Sequence, residues 1–413
     1  MRHRYLAAVF ILLILLLPVT IIGQGFSIGF VLPNKTNSVS FPFSMINHLI
    51  VIPITFNDHM TLKFILDTGA SSPILTERVF GDLMGLTYDR KITVSGPGIV
   101  DSVEAYVANR VKMELPNGVI GLHMSLLVLE NDYIELKQNL GSDVYGIIGF
   151  DVFTQFVVEI NYEKLEITLH NPETFKINRG YKTIPFTLEG TKPYITGIVT
   201  QNNNREFLKL MVDTGASHSL LIDHNQTEHI TLSDFTLKTI LGHGLGGAIS
   251  GQLGRLDGLQ LDNYVLNDIL VSFPDDGMYS SAIKRGSRHG TIGGSSLSRF
   301  SVVMDYKNEH MYLRKNGSYD DPFDYDMSGL KIAFFDNPNR LEIIHVLPDS
   351  PAAKAGMKTG QIIHSVNGVQ ALTVKLSGAI ELLRKKEGKR IKIKIRENNK
   401  SMVTYRFKLN RLI

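Results

Sequence analysis

At 413 residues the chain exceeds what one ordinary hydrophobic core supports, so two or three domains are expected. Hydrophobic residues at 43% and charged residues at 20% exclude a disordered chain, and a net charge of +3 is too small to argue for nucleic acid as a partner. With no Cys, a disulfide framework, a thiol nucleophile, a zinc–thiolate centre and a lipid anchor on Cys are all excluded.

The chain opens with the basic head Met1-Arg2-His3-Arg4 and an apolar run from Tyr5 to Leu17, broken by Pro18 and Thr20. Gly23-Gln24 offers a small-residue cleavage point, so residues 1–23 have the layout of a secretory signal peptide. Apolar character extends through Ile22, which makes an uncleaved N-terminal membrane anchor the competing reading. Either one implies export of the rest of the chain, to a periplasmic or extracellular location.

An internal repeat follows. "FPFSM" from Phe41 is echoed by "IPFTL" from Ile184, and "FILDTGASSPIL" from Phe64 by "LMVDTGASHSLL" from Leu210. "YGIIGFDVFTQF" from Tyr145 is echoed by "GTIGGSSLSRF" from Gly290. The spacings agree, with 79 residues from Asp67 to Gly146 and 77 from Asp213 to Gly290. Both copies carry short β-branched runs bounded by turn residues, such as "HLIVIPITF" in the first and "YITGIVT" in the second. Helical spacing is scarce before residue 320, so residues 24–175 and 176–318 are expected to form two similar all-β lobes.

After an acidic, Gly-bounded linker at residues 319–328 the pattern changes. "RLEIIHVLPDSPAAKAGMKTGQIIHSVNG" reads strand, Pro turn, short helix, Gly turn, strand and Asn-Gly turn. "LSGAIELLRKKEG" has helical spacing, with Ile380 and Leu383 on one face. In "RIKIKIRE" strict alternation points Ile391, Ile393 and Ile395 inward and Lys392, Lys394 and Arg396 to water. Residues 329–413 are expected to form a separate α+β unit, its basic strand a solvated face.

The repeated turn carries the chemistry. Two carboxyls that face each other cannot both ionise easily, so the pair holds one proton, and Asp67 and Asp213 are the candidates. The ionised member can take a proton from a water, while the protonated member donates to a carbonyl oxygen. Gly69 and Gly215 let the backbone turn its N–H groups toward the carboxyls, and Thr68 and Thr214 can bond across a pseudo-twofold axis. Ala70 and Ala216 stand where a Ser could donate to the aspartate and lower its pKa. Their presence predicts activity at weakly acidic to neutral pH.

The doubled D-T-G-A turn, each followed by an apolar-apolar-Gly segment, resembles the retropepsin/pepsin class of aspartic proteases over both lobes. "GIIGFDVFTQF" in particular is similar to the closing segment of retroviral proteases. The resemblance implies a mainly β chain of two pseudo-symmetric retropepsin-like β-barrel lobes, each closed from six or seven strands. It carries Asp67 and Asp213 over as the catalytic pair, with Thr68, Gly69, Ala70, Thr214, Gly215 and Ala216 as their supports. It also implies flaps, for which the Gly96 and Gly98 region and the Gly244 and Gly246 region are candidates. The third unit, through "SPAAKAGMKTGQIIHSVNG", resembles a bacterial PDZ domain. That implies capture of a peptide terminus, with Gly329, Leu330 and Ile332 as candidate contacts.

Other candidates fall away. His218 and His243 lack metal-ligand spacing and read as surface or loop histidines. "GHGLGG" is followed by no helix, so it is no phosphate loop. The expectation is an exported aspartic endopeptidase with its active site formed within one chain, no metal or cofactor, and peptides or proteins as partners. A membrane enters only if the N-terminal segment is uncleaved. The rival is a non-catalytic PDZ peptide-binding scaffold with a silent protease fold.

Overall fold

Each apolar run leading into an acidic turn becomes a strand of a closed ring. The computed structural model describes residues 29–98, 102–232, 236–277, 288–396 and 401–413. The segment read as a signal peptide lies outside the described residues. Among those described, no helix is long and apolar enough to cross a membrane. With 52% of residues in strands and 12% in helices, the chain is mainly β.

In the first lobe the ring runs Leu49–Phe56, Met60–Leu66, Gly146–Ile148, Ile74–Leu75, Val119–Leu129 and Val103–Leu115. Pairing of Thr55 and Phe56 with Glu114 and Met113 closes it. In the second lobe the order is Lys192–Gln201, Asn204–Asp213, Gly290–Gly293, Leu220–Ile222, Tyr264–Pro274 and Gly247–Leu261, closed by Ile198 on Gln260. Strand for strand the two rings correspond, so the repeat seen in the sequence is a repeat of topology. Closure leaves no exposed edge within a ring.

The echoed "FPF" and "IPF" segments have a different fate. Ser38–Pro42 and Lys182–Pro185 are the two outer strands of a six-stranded sheet shared between the lobes. Its order continues inward through Glu166–His170 and Val157–Asn161 from one side, and His310–Lys315 and Phe300–Asp305 from the other. The halves join where Val158 pairs with Met304 and Ile160 with Val302. All four side chains are fully buried. A single apolar core therefore runs from Phe41 and Phe64 through Ile160 and Val302 to Val212 and Leu259.

The C-terminal unit has its own core. Its sheet runs Leu330–Asp336, Asn339–Val346, Ile362–Val366, Arg390–Arg396 and Met402–Lys408, with Val369–Gln370 beside Ile362–Val366. Ile391, Ile393 and Ile395 face inward, as the alternation requires. Ser350 caps the short helix Pro351–Lys354 by accepting the Ala353 N–H. The longer helix Ala371–Arg384 lies against the sheet and buries Leu376, Ala379 and Leu383. The acidic stretch before this unit is strapped down. Arg299 donates to the carbonyls of Ser318, Tyr319, Asp321 and Pro322, and its guanidinium stacks 3.6 Å from the Phe323 ring centroid.

Candidate active site

Asp67 follows the strand Met60–Leu66, and Asp213 ends the strand Asn204–Asp213. Each strand pairs in parallel with the apolar-apolar-Gly segment of its own lobe, Leu66 against Ile148 and Val212 against Ile292. The Asp67 N–H donates to the Ile148 carbonyl at 2.8 Å, and the Gly294 N–H to the Ala216 carbonyl at 2.7 Å. The two ends of each repeat, far apart in sequence, thus hold one turn.

Across the lobe interface the threonines interlock. The Thr68 N–H donates to Thr214 Oγ1 at 3.1 Å, and the Thr214 N–H to Thr68 Oγ1 at 3.0 Å. Each hydroxyl then donates onward, Thr68 to the Val212 carbonyl at 2.7 Å and Thr214 to the Leu66 carbonyl at 2.8 Å. Both side chains are buried, so losing a partner would leave a polar group unpaired at a cost of about 1–3 kcal/mol. This reciprocal lock sets the distance between the acidic turns.

Above the lock the carboxyls meet. Asp67 Oδ1 accepts the Gly69 N–H at 2.6 Å, and Asp213 Oδ1 accepts the Gly215 N–H at 2.9 Å. A Cβ on Gly215 would stand 2.1 Å from Asp67 Cγ, so only glycine lets the opposing carboxyl come this close. The Asp67 carboxyl is held well above the usual carboxylate range. Burial is the main cause, followed by the Asp213 charge, and a hydrogen bond to the Asp213 side chain adds to both. The Gly69 N–H and the Lys192 charge pull the other way without cancelling the rise. Ala70 is buried and Ala216 half-buried, and neither offers a hydroxyl to the pair.

The four glycines expected in flaps come together, one pair from each lobe. The strand Arg90–Val94 leads to Gly96-Pro97-Gly98, and Leu237–Gly244 leads to Leu245-Gly246. Gly98 and Gly246 form a parallel bridge, with the Gly246 N–H donating to the Pro97 carbonyl at 2.9 Å. Gly98 has φ +138°, and a Cβ there would lie 2.2 Å from the Gly246 carbonyl carbon. The tips are thus joined backbone to backbone. Leu245, not singled out from the sequence, helps line a 230 Å³ cavity with Val103, Glu104 and Tyr133.

Three further groups were misplaced or missed by pattern alone. His218 is no surface histidine: its ring lies within the field of Asp213, and burial lowers its pKa to about 4. His243 is mostly covered, its Nε2 3.6 Å from Glu135 Oε2. Burial, then the Lys331 charge, lowers its pKa to about 4, so the ring is neutral at neutral pH. Tyr306 stacks on Phe153, and its hydroxyl has no hydrogen-bond partner among the described residues. Burial and then the charges of Asp67 and Asp213 raise its pKa. No grouping of three or more metal-ligating side chains occurs among the described residues.

In the C-terminal unit Ile332 is a core residue. The Gly329 N–H, expected to face a peptide carboxylate, instead donates to Asp326 Oδ2, and the Leu330 N–H to Ser328 Oγ at 3.0 Å. The sequence-level expectation for this loop therefore meets a site already filled by the chain's own side chains.

Comparison with known families agrees with the architecture. An aspartyl protease family matches residues 52–152 and 198–295, the stretches that hold the two acidic turns, and a PDZ domain family matches residues 342–397. No curated protein matches the chain. The chain carries a retropepsin-like aspartyl protease domain laid out in two segments, followed by a C-terminal PDZ domain.

Proposed function

We propose that the protein is an exported aspartic endopeptidase that hydrolyses peptide bonds with Asp67 and Asp213. The observation that carries this reading is the reciprocal Thr68–Thr214 lock, which brings the Asp67 and Asp213 carboxyls together, with Asp67 held well above the usual carboxylate range. An extended peptide lies between the flaps and the pair. Asp213 in its ionised form draws a proton from a water set between the carboxyls, and the water oxygen attacks the peptide carbon. Asp67, which keeps its proton above the usual carboxylate range, donates to the carbonyl oxygen as charge develops there. Asp213 then gives its proton to the peptide nitrogen, the C–N bond breaks, and Asp67 takes back a hydroxyl proton as the carbonyl re-forms, releasing the two halves of the peptide.

Incubating the soluble chain from Gln24 with a mixed peptide library at pH 4 to 8, and reading cut sites by mass spectrometry, tests this. Cleavage is expected at weakly acidic to neutral pH. It falls on the alkaline side as Asp67 loses its proton at its raised pKa, and on the acid side as the pair takes up a second proton. An uncut library across the whole range would sink the reading. Export is supported by the basic head and apolar run of residues 1–23. Sequencing the exported protein is expected to read Gln24 first, whereas a protein retaining Met1 in the membrane fraction means an anchor.

The rival scaffold reading puts peptide capture by the PDZ domain first. It is disfavoured because both acidic turns are intact and interlocked.

A further inference from the structure

The PDZ domain's peptide-binding face is covered from within the chain. The strand Leu330–Asp336 ends its sheet, so among the described residues its outer edge pairs with no other strand. Beside it runs the helix Ala371–Arg384, and a peptide adding to that edge would lie between the two. The short helix Leu136–Leu140 of the first lobe packs along this strand instead. Lys137 Nζ reaches Asp336 at 2.9 Å and Asp143 at 3.3 Å. At the end of that short helix Gly141 abuts the other wall, where a Cβ on it would stand 2.4 Å from Leu376 Cβ. One segment of the protease lobe thus touches both walls.

The end of the groove is also filled. Asp326 accepts the N–H groups of Ser328 and Gly329 and the Ser328 hydroxyl, the last at 2.6 Å. A carboxylate of the chain therefore occupies the amides that a terminal carboxylate would need.

The same contacts reach the second flap. Lys331 Nζ, on the groove strand, donates to the Ile240 carbonyl at 3.3 Å. The Tyr325 hydroxyl lies beside the Thr239 side chain. Glu135, at the start of the covering segment, touches His243 near the flap tip. The outer flap strand Leu237–Gly244 is therefore bonded to the groove strand at Ile240, and lies against the covering segment at His243 and against Tyr325 at Thr239.

We propose that the PDZ groove is a latch closed in cis, in which the segment 135–143 and the Asp326 carboxylate stand in for a peptide and its terminus. A peptide with a free C-terminal carboxylate competes for the groove, expels the segment and loosens the second flap. The proposal builds on the peptidase reading only for what the loosened flap admits, and the groove itself can be tested without catalysis.

The test uses the full chain bearing Asp67→Asn, so that cleavage is slowed by orders of magnitude, with and without Lys137→Glu. Fluorescein-labelled decapeptides ending in Val or Leu, with free or amidated C-termini, are titrated by anisotropy. Amide hydrogen exchange is read over residues 136–141 and 237–246. Lys137→Glu is expected to tighten binding of the free-carboxylate peptides by about tenfold, because the groove no longer has to be vacated against the Lys137–Asp336 pair. In the chain without Lys137→Glu, saturating peptide is expected to raise exchange over both segments, and the amidated peptides to do neither. Equal affinity in the two proteins with unchanged exchange at 136–141 means an open groove and overturns the latch. Binding of amidated peptides as tight as that of free ones overturns the role given to Asp326. No binding to either protein removes the peptide trigger altogether. None of these outcomes depends on hydrolysis, so the latch and the peptidase reading fail separately.

Discussion

Asp67→Asn and Asp213→Asn are each expected to lower kcat for peptide cleavage by about 10²–10⁴-fold, the range lost with a general acid or base. An amide in place of either carboxyl leaves the Thr68–Thr214 lock intact but ends the sharing of one proton between the pair. Stability should move the opposite way in Asp67→Asn. Folding raises the Asp67 pKa above its unfolded value, so the folded chain keeps a proton that the unfolded chain releases as pH rises. Stability from that proton is full below the unfolded pKa and is lost progressively as pH climbs toward the folded one. Asn carries no such cost. Thermal unfolding is therefore expected to show Asp67→Asn above wild type at pH 8 and level with it near the acid end. A variant less stable than wild type at pH 8 would contradict the burial penalty assigned to Asp67.

Gly215→Ala is the second large effect. The added methyl group would sit 2.1 Å from Asp67 Cγ, and Asp67 is held from its other side by the Gly69 N–H and the Ile148 carbonyl. The turn or the carboxyl has to move, and displacement of a reacting group by about 1 Å costs on the order of 10²-fold in rate. Overpacking at this depth costs about 1–3 kcal/mol of stability as well. Gly254→Ala makes a useful contrast, since its Cβ would meet Phe273 at 3.4 Å, an ordinary contact. Rates and melting temperatures of the two variants are expected to diverge sharply. Similar rates in both would mean that the close approach of Asp67 to Gly215 is not required for cleavage.

How much of this was legible depended on the range over which each feature is encoded. The turn residues Asp-Thr-Gly and the β-branched runs around them act within a few positions, so they could be read directly. Two matched copies at nearly equal spacing extended that reading to the pairing of one lobe with the other. The tip-to-tip bridge of Gly98 with Gly246 was not legible, since the flap segments share no pattern that says they meet. His218 and Tyr306 likewise gave no sign, because burial beside a charge belongs to the packed molecule.

The PDZ loop shows the limit most clearly. The PDZ resemblance implies that Gly329, Leu330 and Ile332 contact a peptide terminus, yet it does not tell whether that site is free. That Asp326 turns back onto the loop, and that residues 135–143 lie across the groove, follows from docking one folded unit on another. Local propensity and the internal repeat therefore determined the strands, the paired acidic turns and the C-terminal unit. Tertiary structure alone decided the bridge between Gly98 and Gly246, the buried environment that raises the Asp67 pKa and the packing of residues 136–140 on the C-terminal unit. Those depend on side chains remote in sequence being brought within a few ångströms, which hydrophobic burial and hydrogen-bond satisfaction select only in the assembled fold.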